Sequence, residues 1–201
     1  MESVSHEEGT HVTKGTKSVV AEAKNSLIHA IEGMGDIAGT MVDTVSGITV
    51  RTLHGTRAVG SELLMLGADV VTGVVHGVAE VGTEVGDRAK HIMLGTLRGT
   101  QQVGKATIET VSTNAAALVT STAAVGGNVA GAAKGAVEGA IEGARDIGVT
   151  VEEAASAAAS GALKAAGSIR ATALEQVRKA LTGTISGVKI VLKEPFRSEK
   201  Q

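Results

Sequence analysis

The sequence predicts an all-α protein, and three observations support that prediction. Apolar residues recur every eleven positions along most of the chain. Eleven residues fill three helical turns at about 3.67 residues per turn, which is close to the α-helical value. The only proline, Pro195, follows the repeats, so no proline interrupts the helix before Leu192. We therefore expect a long amphipathic 11/3-type helix, either extended or folded into a helical hairpin or bundle.

The apolar face of this helix consists of neighbouring columns of the eleven-residue pattern. Side chains eleven residues apart point in nearly the same direction, so each column forms a stripe along the helix. Together the columns cover an arc of about 130° to 165°, which is wider than a coiled-coil seam. The residues that we expect to contact an apolar phase are Ile37, Met41, Ile48, Val59, Leu63, Val70, Val74, Val81, Val85, Ile92, Val103, Val125 and Ile147.

Charged residues are sorted around the same helix. One column at the edge of the apolar arc carries basic residues and no acidic residue. Another column, in the middle of the polar face, carries acidic residues. Long basic side chains at such an edge can lay their stems on an apolar phase and keep their charges in water. An ordinary solvated helix surface is the alternative. The predicted headgroup-contacting residues are Arg57, Lys90, Lys134, Arg145, Arg178 and Lys189.

The composition indicates that this helix needs a partner surface. The chain has no Trp or Tyr and one Phe, so its apolar face consists mainly of small side chains. It also contains 27 Gly, and each glycine in a helix interior costs about 1 kcal/mol relative to Ala. An isolated helix of this composition is expected to be mostly unfolded in water.

The repeats divide the chain into three segments. Residues 1–11 form a polar tail without the apolar run of a secretory signal, and its acids count against a transit peptide. Residues 12–192 form the amphipathic helix, with a break expected between 113 and 128. Residues 193–201 form a second polar tail. The two candidate breaks are the weak helix formers Thr113–Asn114 and the pair Gly126–Gly127. The uncharged stretch 110–133 holds too many polar residues to be expected as a transmembrane helix.

Small residues spaced by four indicate possible close packing between helices. Glycines at this spacing let two helix backbones approach each other, either between two arms of the chain or between subunits. The alternative is that small residues are simply frequent in this sequence. The predicted helix-packing residues are Gly127, Gly131, Gly135, Gly139 and Gly143.

Several classes of function lack their sequence signatures. A formal net charge of −2 argues against a nucleic-acid-binding protein. There is no Cys, and the six His do not cluster as metal ligands would. No nucleophile elbow or phosphate-binding loop occurs. We therefore expect no enzyme, and no metal site, cofactor or small-molecule substrate.

Two stretches of the sequence resemble a known family. Residues 70–79 read VVTGVVHGVA and residues 81–86 read VGTEVG. They look like the eleven-residue repeats of the synucleins, and residues 166–173 (AGSIRATA) are similar to another synuclein segment. The repeats resemble those of perilipins more loosely. The synuclein hexapeptide KTKEGV and an acidic tail are absent. The resemblance implies a long 11/3 helix that lies on a membrane.

These observations predict a peripheral lipid-binding protein, located in the cytoplasm and on a lipid surface. It would coat, stabilise or curve a membrane, a lipid droplet or a storage granule through its long helix. The main alternative is a self-assembling structural protein, a homo-oligomeric right-handed coiled coil or filament in which helices bury their apolar faces in one another. A hydration-protective protein is a third hypothesis, which the mean hydropathy of +0.19 disfavours.

Overall fold

A computed structural model describes residues 8–32, 37–54, 60–104 and 106–190, and it confirms the all-α class. The described residues form eight helices, packed as a bundle, and one short β-hairpin. The elements are α1 (Glu8–Glu32), α2 (Ile37–His54), α3 (Ser61–Glu80), α4 (Val85–Gln102), α5 (Ile108–Ala124), α6 (Val129–Gly143), α7 (Val151–Ile169), α8 (Ala171–Leu181), β1 (Gly183–Ile185) and β2 (Val188–Ile190).

The helices are arranged in two layers. Helices α1 to α7 each pack most extensively on a helix two places away along the chain, and α8 packs equally on α6 and α7. The helices α1, α3, α5 and α7 form one layer, and α2, α4, α6 and α8 form the other. Helices that follow one another in sequence make smaller contacts across the layers, apart from the broad contact between α6 and α7. The chain therefore alternates between the two layers as it advances along the stack.

Helices within a layer run parallel. A side chain built on Gly95 of α4 would meet the carbonyl oxygen of Val42 in α2, and four residues later Gly99 stands beside the carbonyl oxygen of Ser46. Contacts that advance in the same direction on both helices require parallel axes. Short connections make successive helices antiparallel neighbours, which agrees with this alternation.

Specific turn chemistry ends several helices. After α3, Gly82 has a φ of 72°, and the N–H of Thr83 donates to the carbonyl of Val78 at 3.1 Å. This left-handed glycine with its long-range turn bond is the Schellman motif. Helices α5 and α7 each begin with a full capping box. The hydroxyls of Thr107 and Thr150 accept a hydrogen bond from the backbone N–H of the third residue of α5 and α7 respectively.

The two ends of the helical region differ from the predicted bounds. Helix α1 begins at Glu8, inside the predicted polar tail. The helical region ends at Leu181, where an antiparallel hairpin replaces the helix that was predicted to reach Leu192. Ser186 and Gly187 both have positive φ, 49° and 83°, as a two-residue type I′ turn requires. The buried Ile185 and Ile190 pack the hairpin against the end of the stack, where β2 contacts α7.

The predicted breaks also differ in outcome. Thr113 and Asn114 lie within α5, which is unbroken, and Asn114 is fully buried. The chain does turn at Gly126, whose φ is 73°. It turns at several further places, so the described helices are each 11 to 25 residues long and the protein is folded compactly along its length.

The amphipathic pattern separates the inside of this stack from its outside. Mid-helix members of the Ile37 column, such as Val70 and Ile92, are fully buried. The polar column that contains Asp43, Asp87 and Glu153 is exposed at these positions. Each helix therefore turns its apolar arc toward other helices of the same chain.

Candidate functional site

The predicted lipid-binding face lies inside the protein. Most of its described members are buried, and the others are half-buried at helix ends. The side chain of Ile37 and the whole of Val59 lie outside the described residues. The buried members are Met41, Ile48, Leu63, Val70, Val74, Val85, Ile92 and Ile147, and the half-buried members are Val81, Val103 and Val125.

The surface of the described residues offers no replacement for this face. Met65, which is 52% exposed, is the only large apolar side chain there that is exposed. It stands on the polar column and has no exposed apolar neighbour of its size. In this conformation the described part of the apolar face is covered mostly by other helices of the same chain.

Glycines form the closest contacts between helices of one layer. Gly135 and Gly139 of α6 face α4, where a built Cβ would lie 2.6 Å from the Cβ of Ala89 and 2.5 Å from the carbonyl oxygen of Lys90 respectively. Gly143 approaches Leu97 of the same helix. These three predicted packing glycines therefore join two helices of one chain.

The remaining two predicted packing glycines have other surroundings. Gly131 lies beside Asn128, which caps α6, and near the backbone of Gly86 in α4. Gly127 lies beside Thr122 of the preceding turn. Gly73 and Gly161 make equally close contacts in the other layer, with α1 and α5. Gly73 and Gly77 have the four-residue spacing that indicates helix packing, whereas the sequence pattern did not predict a packing role for Gly161.

Buried hydroxyl groups bond within their own helices. The hydroxyls of Thr49, Thr96, Thr100 and Thr122 each donate to the carbonyl four residues earlier, at 2.7 to 2.8 Å. A hydroxyl satisfied in this way keeps its hydrogen bond wherever the helix moves. Separating these helices therefore leaves the four hydroxyl groups satisfied.

Among the described residues, Asn114 is the exception in the set of fully buried polar side chains. It occupies the centre of α5 in the otherwise apolar Ile37 column, and it is fully buried. Neither its amide nitrogen nor its amide oxygen has a hydrogen-bond partner. The oxygen lies 3.3 Å from the place that a Cβ on Gly67 would take in α3. An unpaired buried amide costs about 1–3 kcal/mol, so it weakens the contact between α3 and α5.

The predicted basic residues lie on several elements of the folded stack. Lys90 of α4 forms an ion pair with Glu142 of α6 at 2.7 Å, and this hydrogen bond is the main reason that the pKa of Lys90 is raised. Lys134 pairs within α6 with Glu138 at 3.8 Å. The others are scattered: Arg145 is exposed after α6, Arg178 is half-buried in α8, Lys189 is exposed on β2, and Arg57 lies outside the described residues.

Ion pairs also connect helices of one layer at the surface. Lys24 of α1 reaches Glu80 of α3 at 2.8 Å, and Arg98 of α4 reaches Asp146 beyond α6 at 3.0 Å. All of these groups are substantially exposed, so each pair contributes about 0–1 kcal/mol. They help to align neighbouring helices without preventing their separation.

Other kinds of site are weakly developed in the described part of the chain. An open groove of about 480 Å³ between α1 and α2 is lined by Ser26, Ala30, Thr40, Asp43, Thr44, Gly47 and Arg51. Its polar lining suits the terminal helices of a stack, which need a polar outer face. No group of three or more metal-ligating side chains occurs among the residues that the structure describes.

One described helix has the length and composition of a membrane span. This helix is α3, and half of its most apolar 18-residue stretch is buried inside the fold. Core helices of globular proteins meet the same criterion, so this is weak support for a span.

Comparison with known proteins found no matching family model, no similar curated protein and no similar solved structure.

Proposed function

We propose that this protein binds lipid surfaces reversibly, storing its apolar face inside a helical stack and transferring that face to a lipid surface when the stack opens. The observation that carries the proposal is the continuity of the apolar columns, which run through helix after helix and are buried only by other parts of the same chain. A lipid surface can replace each of those internal contacts with an apolar phase. Bound in this way, the protein coats and stabilises or curves the surface.

The energetics of the stack support opening. Many buried side chains in α6 and α7 are Ala, including Ala136 and Ala158. Burial contributes about 25 cal/mol per Å², so alanines contribute less per residue than leucines or phenylalanines. Glycine costs helix stability, and the buried amide of Asn114 costs more. The free energy that holds the stack together is therefore modest for its length, and lipid contact can compete with it.

Transfer to lipid also preserves the hydrogen bonds. Backbone groups of a helix are satisfied within the helix, which a lipid environment requires. The threonine hydroxyls described above are satisfied in the same way. Opening the stack therefore exchanges apolar contacts and few polar ones.

The basic residues acquire a common function in this proposal. In the stack they are dispersed over several elements, whereas on one continuous 11/3 helix they share a column beside the apolar arc. Headgroup phosphates would then replace carboxylates such as Glu142 as partners of Lys90. This arrangement and the resemblance of residues 70–86 to synuclein repeats favour anionic surfaces.

Vesicle flotation with site-specific quenching tests the proposal. The chain contains no cysteine, so Val81→Cys and Asp87→Cys each place one fluorescent label, on the apolar and the polar column respectively. With vesicles that contain brominated acyl chains, we expect flotation of both proteins and quenching of the label at position 81 alone. Binding should be tighter to anionic than to zwitterionic vesicles.

Two results would overturn the proposal. The first is an absence of flotation on every vesicle composition. The second is flotation with equal quenching of both labels, which would show that the apolar column does not face the lipid. Lipid-independent oligomers, measured by light scattering on the same samples, would favour the self-assembling structural protein instead.

A further inference from the structure

The turns of the stack recur at a constant interval. Among the described residues, five glycines outside the hairpin region have positive φ between 60° and 73°. They are Gly60, Gly82, Gly104, Gly126 and Gly148, and successive members are 22 residues apart. Each one directly follows a Val or Ile of the Ile37 column. Gly60 differs from the others in being the N-cap of α3, with a ψ of −126°.

This interval equals two eleven-residue repeats. Twenty-two residues fill six turns of an 11/3 helix, so a segment of this length returns the apolar arc to the same direction. If a turn becomes helical, the helices on its two sides join with their apolar arcs aligned. An interval of 20 or 24 residues would rotate the second arc by roughly 165° and split the apolar face.

The residues before the glycines are used incompletely in the stack. Val81, Val103 and Val125 are half-buried at helix ends, whereas Val70 and Ile92 in the same column are fully buried. In a joined helix, Val70, Val81, Ile92, Val103 and Val125 would all lie at the centre of one apolar arc. Ile147, before Gly148, is already buried in the stack. At the other three turns with described side chains, the column residue is half-buried in the stack and would gain burial in a joined helix.

Left-handed glycine and the helix caps that follow it, such as the capping box of Thr150, hold these turns without a steric obstacle at the glycine. A Cβ built on any of the five glycines meets nothing within 4 Å. The turn bonds, such as the 3.1 Å bond from the N–H of Val149 to the carbonyl of Ala144, depend on the left-handed φ of the intervening glycine. The turns from Gly82 to Gly148 each also hold an extended N-cap residue, such as Glu84 with a ψ of 122° or Thr150 with a ψ of 154°. Removing such a turn therefore requires right-handed helical φ and ψ at the glycine and at the N-cap residue that follows it.

We propose that these five glycines are hinges whose positive φ keeps the stack closed, and whose conversion to right-handed helix, together with the N-cap residues beside them, joins the helices into one continuous amphipathic helix on a lipid surface. This inference rests on the proposed function and specifies how the apolar face is released. A residue with a Cβ disfavours positive φ and favours the helix, so alanine at a hinge should promote opening.

Gly148→Ala tests the hinge, with Gly47→Ala as the matched control. Both positions have open space around the built Cβ, but Gly47 lies inside α2 with helical geometry and Gly148 has a φ of 72°. Because left-handed backbone is unfavourable for alanine, we expect Gly148→Ala to lower the apparent Kd for anionic vesicles about tenfold. The control should leave that Kd within about twofold.

Distance measurements establish the geometry of the open form. Spin labels on Ala130→Cys and Lys164→Cys lie on α6 and α7, on the two sides of this hinge. In the closed stack the axes of neighbouring helices are about 8–10 Å apart, so the labels should be close. In a continuous helix the 34 intervening steps would place them about 51 Å apart.

The two proposals fail in different ways. Flotation of the wild type with labels that remain close in the bound state would overturn the hinge and leave lipid binding intact. Equal effects of Gly148→Ala and Gly47→Ala on the vesicle Kd would also overturn the hinge. An absence of flotation for all variants would overturn lipid binding and the hinge with it.

Discussion

Substituting Gly139 by Ala tests the glycine contact between α4 and α6. A Cβ at this position would lie 2.5 Å from the carbonyl oxygen of Lys90 and 2.7 Å from the Cβ of Met93, where ordinary contact is 3.4–4 Å. Neither neighbour can rotate away, because one is backbone and the other is the first atom of its side chain. The two helices must therefore separate by about 1 Å.

The expected energy combines two opposing effects. Overpacking of a tight interior costs about 1–3 kcal/mol, and Ala gains about 1 kcal/mol over Gly in helix propensity. Because both clashing groups are rigid, we expect the upper part of the range and a net loss of roughly 1–2 kcal/mol. At Gly47, where a Cβ meets nothing within 4 Å, only the gain of up to about 1 kcal/mol applies.

Urea unfolding followed by far-UV circular dichroism measures both variants. The two substitutions are chemically identical, so their opposite signs would isolate the helix contact from helix propensity. If Gly139→Ala stabilised the protein as much as Gly47→Ala, the close packing of α6 on α4 would be refuted.

Two further predictions concern buried polar groups. Asn114→Leu replaces an unpaired amide with an apolar side chain of similar shape, so urea unfolding should show a stabilisation of about 1–3 kcal/mol and vesicle binding should weaken. In the control Thr122→Val, the hydroxyl that is removed is already satisfied, so stability should change by less than about 1 kcal/mol. Equal effects of the two substitutions on stability would contradict the reasoning. The pKa of His91 is lowered from 6.5, first by burial and then by the charges of Lys90 and Arg88. Because the folded state binds this proton less tightly than the unfolded state, the stability that depends on His91 should be full above pH 6.5 and fall as the pH drops below that value. His91→Gln should flatten that part of the profile of stability against pH. A pH profile unchanged by His91→Gln would show that this side chain does not contribute.

The sequence predicted the side of each helix that faces inward. The eleven-residue columns placed Val70, Val74 and Ile92 on one arc, and these residues form the core. The exposed polar column was equally visible, because a helical period places like residues on one side whatever the partner surface is. What the period alone leaves open is whether that partner is lipid, another subunit or the same chain.

Of the two predicted breaks, the one at Gly126 is a turn and the one at Thr113–Asn114 is not. Thr113 and Asn114 are weak helix formers, yet both lie in the unbroken α5, where packing outweighs intrinsic propensity. The informative signal was the pair Val–Gly or Ile–Gly repeated every 22 residues, as at Val81–Gly82 and Ile147–Gly148. A glycine at fixed phase after an apolar residue is a recurrent helix end.

The hairpin was missed although its signal is local. The stretch from Gly183 to Ile190 is rich in β-branched residues around the pair Ser186–Gly187, which is typical of a tight hairpin. The helical period also extends through this stretch, so the period and the turn chemistry predict different structures there.

A reversible disulfide between α4 and α6 tests the central claim most directly, which is that the stack must open to bind lipid. A Cβ built on Gly143 lies 3.6 Å from the Cβ of Leu97, within the range of about 3.5–4.5 Å that disulfides span. The variant with Leu97→Cys and Gly143→Cys can be oxidised to lock the two helices and reduced to release them. In vesicle flotation, we expect the oxidised protein to remain unbound and the same sample to bind after reduction. Equal flotation of the oxidised and reduced forms would contradict the account.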